Sequence, residues 1–158
     1  MGKTISPIFT VGRTTCSGLE NQWHPWYEKR YGNETMIKGI GIDLIEVGRM
    51  ERLIAKDGNF VKRMFSPEEI RYCHAKRYRA QHYAVRFAAK EALLKALGCG
   101  LSGGIGWKDI SVENDEAGKP IIRLQGKAEK QLGALRGRSV HLSMSHTREW
   151  AVSCVVID

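Results

Sequence analysis

Glu91 and Lys95 lie four residues apart within Phe87-Ala88-Ala89-Lys90-Glu91-Ala92-Leu93-Leu94-Lys95-Ala96. Ala, Leu, Lys and Glu are strong helix formers, so this stretch predicts a helix. At that spacing the two charges share one helical face. Nearly everything else in the stretch is apolar, which predicts that the helix is buried. A carboxylate and an ammonium side by side on a buried helix make either a structural ion pair or a site. A second carboxylate stands on a different element. Ile37-Lys38-Gly39-Ile40-Gly41-Ile42-Asp43-Leu44-Ile45 reads as a strand. By the period of two, Ile40, Ile42 and Leu44 fall on one face and Gly39, Gly41 and Asp43 on the other. Two glycines before an aspartate leave backbone open beside a carboxylate, which suits close approach by a ligand. Asp43 and Glu91 together could form an oxygen-ligand site for a hard cation. Magnesium takes one or two carboxylates, keeps several waters and is completed by substrate phosphates.

Gly41-Ile42-Asp43, followed by the Phe87–Ala96 stretch, resembles the two signature motifs of the 4′-phosphopantetheinyl transferases. The short chain, Leu44-Ile45-Glu46 after the aspartate, and Ser143-Met144-Ser145-His146-Thr147 near the end resemble the small holo-acyl-carrier-protein synthase branch. The likeness runs from Met36 to Asp158. It implies transfer of the 4′-phosphopantetheine arm of coenzyme A to a serine of an apo-acyl carrier protein, in support of fatty acid biosynthesis. The serine oxygen would attack the β-phosphorus and adenosine 3′,5′-bisphosphate would leave. A magnesium ion on Asp43 and Glu91 would neutralise and orient the diphosphate, and Lys95 would offset charge on the leaving group. Metal-bound water, Glu91 and Lys95 are all candidates to take the serine proton.

The resemblance also places His146 and Thr147 near the nucleotide phosphates. Arg86 and Lys90 precede Glu91 at i, i+4 spacing and either reach coenzyme A phosphates or are surface cations. After the helix, Gly98 and Gly100 offer backbone that a phosphate could approach closely. Acyl carrier proteins are acidic. Arg49, Arg52, Lys56, Lys62 and Arg63 surround apolar Met50, Leu53 and Phe60, and such a cationic ring with apolar anchors suits an acidic amphipathic helix. Arg49 and Phe60 best match the family's docking positions. The small branch further implies a homotrimer with active sites shared between neighbouring subunits.

Charge agrees with an anionic partner. The chain has 158 residues and a formal net charge of +8. Residues 38–90 hold twelve Lys and Arg against six Asp and Glu, whereas residues 91–158 hold nine against eight. A basic patch suits nucleic acid or an acidic protein. A nucleic-acid module would leave Asp43 and Glu91 without a purpose. A metal-dependent phosphohydrolase would want more acidic ligands than these two. Neither nucleic acid nor membrane is therefore expected as a partner. Cys16, Cys73, Cys99 and Cys154 are scattered without a C-x-x-C pair, which argues against zinc and a disulfide framework. A reduced cytoplasm is the expected setting, with no secretory signal and no transmembrane run.

The elements that must position these residues follow from punctuation and period. Residues 1–35 mix Gly, Thr, Ser and Pro with Trp23, Trp26, Tyr27 and Tyr31 and keep no period, so they read as an extension, non-native or flexible, to a domain at 36–158. Helices are predicted over 47–56, 60–64 as a short turn, 66–76, from about 80 to a Gly98 C-cap, and 127–135. Ser66-Pro67-Glu68-Glu69 is a helix start with a capping serine and Pro at the first position. A hairpin is predicted from 109–113 and 120–124, and strands over 139–145 and 150–157. The last is apolar on both faces, as a central strand is. One strand, then helices, then mostly strands gives an α+β class: an antiparallel sheet packed on helices.

The first prediction follows from the boundary at Met36. A chain beginning there should fold and retain activity within a few-fold. A large loss of melting temperature or turnover on removing residues 1–35 would show that the segment is structural.

Overall fold

The computed structural model describes residues 36–158. The predicted segment 1–35 lies outside the described residues. Strand β1 (Gly39–Glu46) leads into helices α1 (Val47–Lys56), α2 (Phe60–Met64), α3 (Pro67–His74) and the long α4 (Arg79–Ala96). A hairpin of β2 (Ile110–Asn114) and β3 (Pro120–Leu124), helix α5 (Gly126–Ala134), and strands β4 (Val140–His146) and β5 (Trp150–Ile157) complete the chain. Short 3-10 turns follow α4 at Gly100–Gly103 and Trp107–Asp109. The larger sheet has the order β1-β5-β4, fully antiparallel, so β5 is central as its two apolar faces require.

Helix α4 is the spine. Ala88, Ala89, Ala92, Leu93 and Leu94 are buried along it. Its first half packs with α1–α3 around Met50, Phe65, Cys73 and Tyr83. Its second half packs on Val155 and Ile157 of β5 and Ile110 of the hairpin. The glycine face of β1 meets this helix at very close range. A Cβ on Gly41 would overlap the carbonyl oxygen of Ala92, and one on Gly39 that of Ala96. The close approach predicted for a ligand is thus made by α4 backbone instead. The opposite face of β1 is left bare: Ile40, Ile42 and Leu44 are 61%, 60% and 60% exposed.

Glu69 and Lys90 tie the helices to the hairpin. Ser66 and Glu69 form the predicted capping box, with Ser66 N donating to Glu69 Oε2 at 2.8 Å and Glu69 N donating to Ser66 Oγ. The same carboxylate accepts from Val112 N of β2 and from Lys90 Nζ at 2.8 Å, both side chains being fully buried. Lys90 Nζ donates further to the carbonyls of Met64 and Trp107. Its three N–H bonds are therefore spent inside the protein. The expectation that Lys90 binds coenzyme A is overturned, because a cation in this position cannot reach solvent or substrate. Burial pushes the Lys90 ammonium below the ordinary lysine range while Glu69 pulls it back.

Removing one member of a buried, hydrogen-bonded pair leaves the other uncompensated and costs roughly 3–5 kcal/mol. Lys90→Met should therefore lower unfolding free energy by about that amount in urea titrations. A variant within about 0.5 kcal/mol of the parent, the range of ordinary surface substitutions, would show that the pair does not anchor α4.

Candidate functional site

The contact of Gly39 and Gly41 with α4 brings Asp43, two residues further along β1, beside the Glu91 turn of the helix. Lys95 Nζ donates to Asp43 Oδ1 at 2.8 Å and to the Ile42 carbonyl at 2.9 Å. The predicted i, i+4 pairing of Lys95 with Glu91 is thus redirected: the shortest bond of the ammonium runs across to the strand. Glu91 is half-buried. Burial and the neighbouring Asp43 charge raise its pKa, against the pull of Lys95 and Arg49. Two carboxylates that disfavour each other's charge are a donor set that a hard divalent cation would relieve. Among the described residues no group of three or more His, Cys, Asp and Glu gathers to hold a metal. Asp43 and Glu91 therefore fit a cation that takes its remaining ligands from water and phosphate.

Arg49, expected at the docking surface, also joins this cluster electrostatically within the same chain. Its side chain is exposed on α1, as are those of Lys56 and Lys62. Arg52 pairs with Glu46 at 3.5 Å and Arg63 with Asp57 at 2.6 Å, both in exposed positions. Of the apolar anchors expected among them, Leu53 is partly exposed and the other two are not available. Phe60 is only 8% exposed and packs edge-on against Phe65, and Met50 is fully buried. A docking role for Phe60 is therefore withdrawn: its ring fills the core around which α2 folds.

Arg86 is the other surprise. A guanidinium at i−4 from Lys90 shares its side of the helix, and this one is 1% exposed. Nη2 donates to Asn114 Oδ1 at 2.9 Å, and the group stacks over Tyr72 at 3.9 Å. Nε has no hydrogen-bond partner. Arg86, Tyr72 and Asn114 line a cavity of about 390 Å³, together with Glu68, Arg71 and Glu113. Asn114 and Tyr72 were not singled out from sequence, where one closes a hairpin strand and the other is an ordinary helix aromatic.

His146 ends β4, exposed, and its ring meets that of His82 on α4 at 5.0 Å between centroids. Thr147 is spent differently. Its Oγ1 accepts from Glu149 N and Trp150 N, so its hydroxyl closes the β4–β5 turn. Gly98 adopts φ +72° directly after the helix, which gives a backbone reason for glycine there.

The site thus consists of one tight cluster (Asp43, Glu91, Lys95, Arg49), a buried arginine at a cavity, and an exposed histidine. Glu91 has a raised folded pKa, so it favours the fold at low pH and costs stability once pH rises through that value. Glu91→Gln should therefore raise the melting temperature at pH 7 in metal-free buffer, and the gain should vanish toward pH 4. A melting temperature that falls at pH 7 would show that Glu91 is held favourably as a charge.

A family model described as the 4′-phosphopantetheinyl transferase superfamily matches residues 39–155. The chain is 46% identical over 124 residues to a holo-[acyl-carrier-protein] synthase of Syntrophus aciditrophicus, covering 78% of this chain and 97% of that protein. Among solved structures it is similar to a holo-[acyl-carrier-protein] synthase from Neisseria meningitidis, at 35% identity and TM-score 0.72 over 78% of this chain and 99% of the other. It is also similar to one from Bacillus anthracis in complex with coenzyme A (3′,5′-ADP), at 38% identity and TM-score 0.65 over 78% and 97%.

Proposed function

The chain belongs to the 4′-phosphopantetheinyl transferase superfamily, and from that premise we propose that it is a holo-[acyl-carrier-protein] synthase. It transfers the 4′-phosphopantetheine arm of coenzyme A to a serine of an apo-acyl carrier protein and releases adenosine 3′,5′-bisphosphate. The observation that carries the reading is the meeting of Asp43 and Glu91, from separate elements, with Lys95 bonded to the first.

In this reading Asp43 and Glu91 hold one magnesium ion. When bound, the ion supplies positive charge that makes an anionic diphosphate accept a nucleophile. The serine oxygen gives up its proton to a base at the site and forms a bond to the β-phosphorus as the bond to the bridging oxygen of the nucleotide breaks. The barrier is chiefly electrostatic and positional. Lys95 sits one turn beyond Glu91, bonded to Asp43 and the Ile42 carbonyl of β1, and supports the leaving group from there. Arg86, with Nε unpaired at its cavity, takes a phosphate of coenzyme A. His146 lies at the phosphates from the β4 end, and Gly98 offers backbone there.

Arg49, Arg52, Lys56 and Arg63 form the cationic surface for an acidic carrier, with charge speeding encounter. The bare apolar face of β1 suits an interface, since burying Ile40, Ile42 and Leu44 would remove an apolar stripe from water, and resemblance to the small branch makes that assembly a homotrimer with active sites at subunit boundaries. Free thiols at Cys73 and Cys154 suit a reducing cytoplasm, and among the described residues no helix is long and apolar enough to cross a membrane. Supplying holo-carrier to fatty acid biosynthesis completes the reading.

Incubation with coenzyme A, magnesium and apo-acyl carrier protein should add one phosphopantetheine mass to the carrier. Chelation should stop the transfer and magnesium should restore it. Asp43→Ala and Glu91→Ala should each lower turnover by about 10²–10⁴-fold while remaining folded, the scale of losing a main electrostatic stabiliser. Near-parental turnover in both would contradict the shared cation. Arg49→Glu should raise the carrier KM in low salt, an effect that shrinks as salt screens charges over about 8–10 Å. An unchanged carrier KM would take Arg49 off the docking surface.

A further inference from the structure

A column of rings runs from the β4–β5 turn into the protein. His146 contacts His82 with planes at 78° and centroids 5.0 Å apart. His82 contacts Tyr72 of α3 at 5.9 Å and 75°. Tyr72 in turn lies under the Arg86 guanidinium at 3.9 Å and the Lys76 ammonium at 4.5 Å. An exposed histidine at a strand end would ordinarily sample several rotamers. This one rests against a partly buried ring that is itself braced from behind.

We propose that His82 is a positioning residue for His146, holding its imidazole edge-to-face so that it meets a coenzyme A phosphate already oriented. The inference rests on the reading of His146 as a phosphate contact and adds the group that fixes its geometry. Edge-to-face pairs are the favoured aromatic arrangement at such separations. Charge supports the assignment. The groups facing His82 are Tyr72 and Lys76 from the α3 side, His146 from β4 and Arg86 one turn along α4. Burial first, then the cationic neighbours, bring the His82 pKa down to about 4. His82 is therefore neutral near pH 7, so a phosphate drawn to His146 would meet an uncharged ring behind it.

The test uses the full chain as wild type, His82→Phe and His82→Ala, with histidine side-chain NMR and steady-state kinetics. Phe keeps a flat ring of similar breadth, and Ala removes it. In wild type and His82→Phe, the His146 resonances should move on adding coenzyme A. The coenzyme A KM of the two should agree within about 2-fold, and their kcat/KM profiles should superimpose between about pH 6 and 8, because the wild-type ring carries no proton there. His82→Ala should lose the ring-current shift of His146 and raise the coenzyme A KM about 2- to 10-fold, as expected for losing one aromatic contact. Its kcat should change less than its KM. A His146 that responds identically in all three proteins would overturn the inference alone. Equal losses in Phe and Ala, tracking melting temperature, would also overturn it by making His82 a packing residue. A wild-type His146 indifferent to coenzyme A would overturn both the reading of His146 and the inference built on it.

Discussion

Backbone contact between β1 and α4 is the constraint on which the site depends. Two glycines allow it, since Gly39 and Gly41 lie where any side chain would strike the carbonyls of Ala96 and Ala92. The contact costs the strand two side chains' worth of packing. It returns a separation between sheet and helix short enough for Asp43 to stand beside Glu91, and for Lys95 to reach both Asp43 and the Ile42 carbonyl. The glycines are thus the cause of the site and not its lining.

Charges inside the molecule fall into two kinds. Lys90 and Glu69 are fully buried, paired and saturated with hydrogen bonds, so they hold α3, α4 and the hairpin in register. Glu91 and Arg86 are left with unresolved demands. Glu91 is pushed toward its neutral form by burial and by Asp43, and Arg86 keeps an orphan Nε. Folding a domain around uncompensated charge is costly. A ligand carrying both a divalent cation and several phosphates would settle both demands at once, which is why the unsatisfied charges, more than the satisfied ones, point to function.

Much of this was legible in the sequence because it is local. The capping box at Ser66–Glu69, the hairpin, the central character of Trp150–Ile157 and the helix bearing Glu91 all follow from short-range pattern, and all are seen. What sequence could not show is which way a charged side chain turns on a helix buried all round. Lys90 and Glu91 are neighbours, yet a rotation of about 100° per residue sends one into the core and the other to the site. Phe60 was misread for the same reason: in a five-residue helix there is no period from which to tell an anchor from a core ring. The alternation of β1 did give its two faces. It gave no hint that the glycine face, not the isoleucine face, would be the packed one. His82 carried no motif; only its position four before Arg86 linked it to a functional side of α4.

The account stands or falls on one divalent cation shared by Asp43 and Glu91. Crystals grown with coenzyme A and manganese would locate it, since manganese accepts the same hard oxygen ligands and scatters anomalously. A single anomalous peak is expected for each copy of the chain, bonded to a carboxylate oxygen of Asp43, to one of Glu91, and to phosphate oxygens of coenzyme A. A peak away from these two side chains, or coenzyme A bound with no ion between it and them, would contradict it.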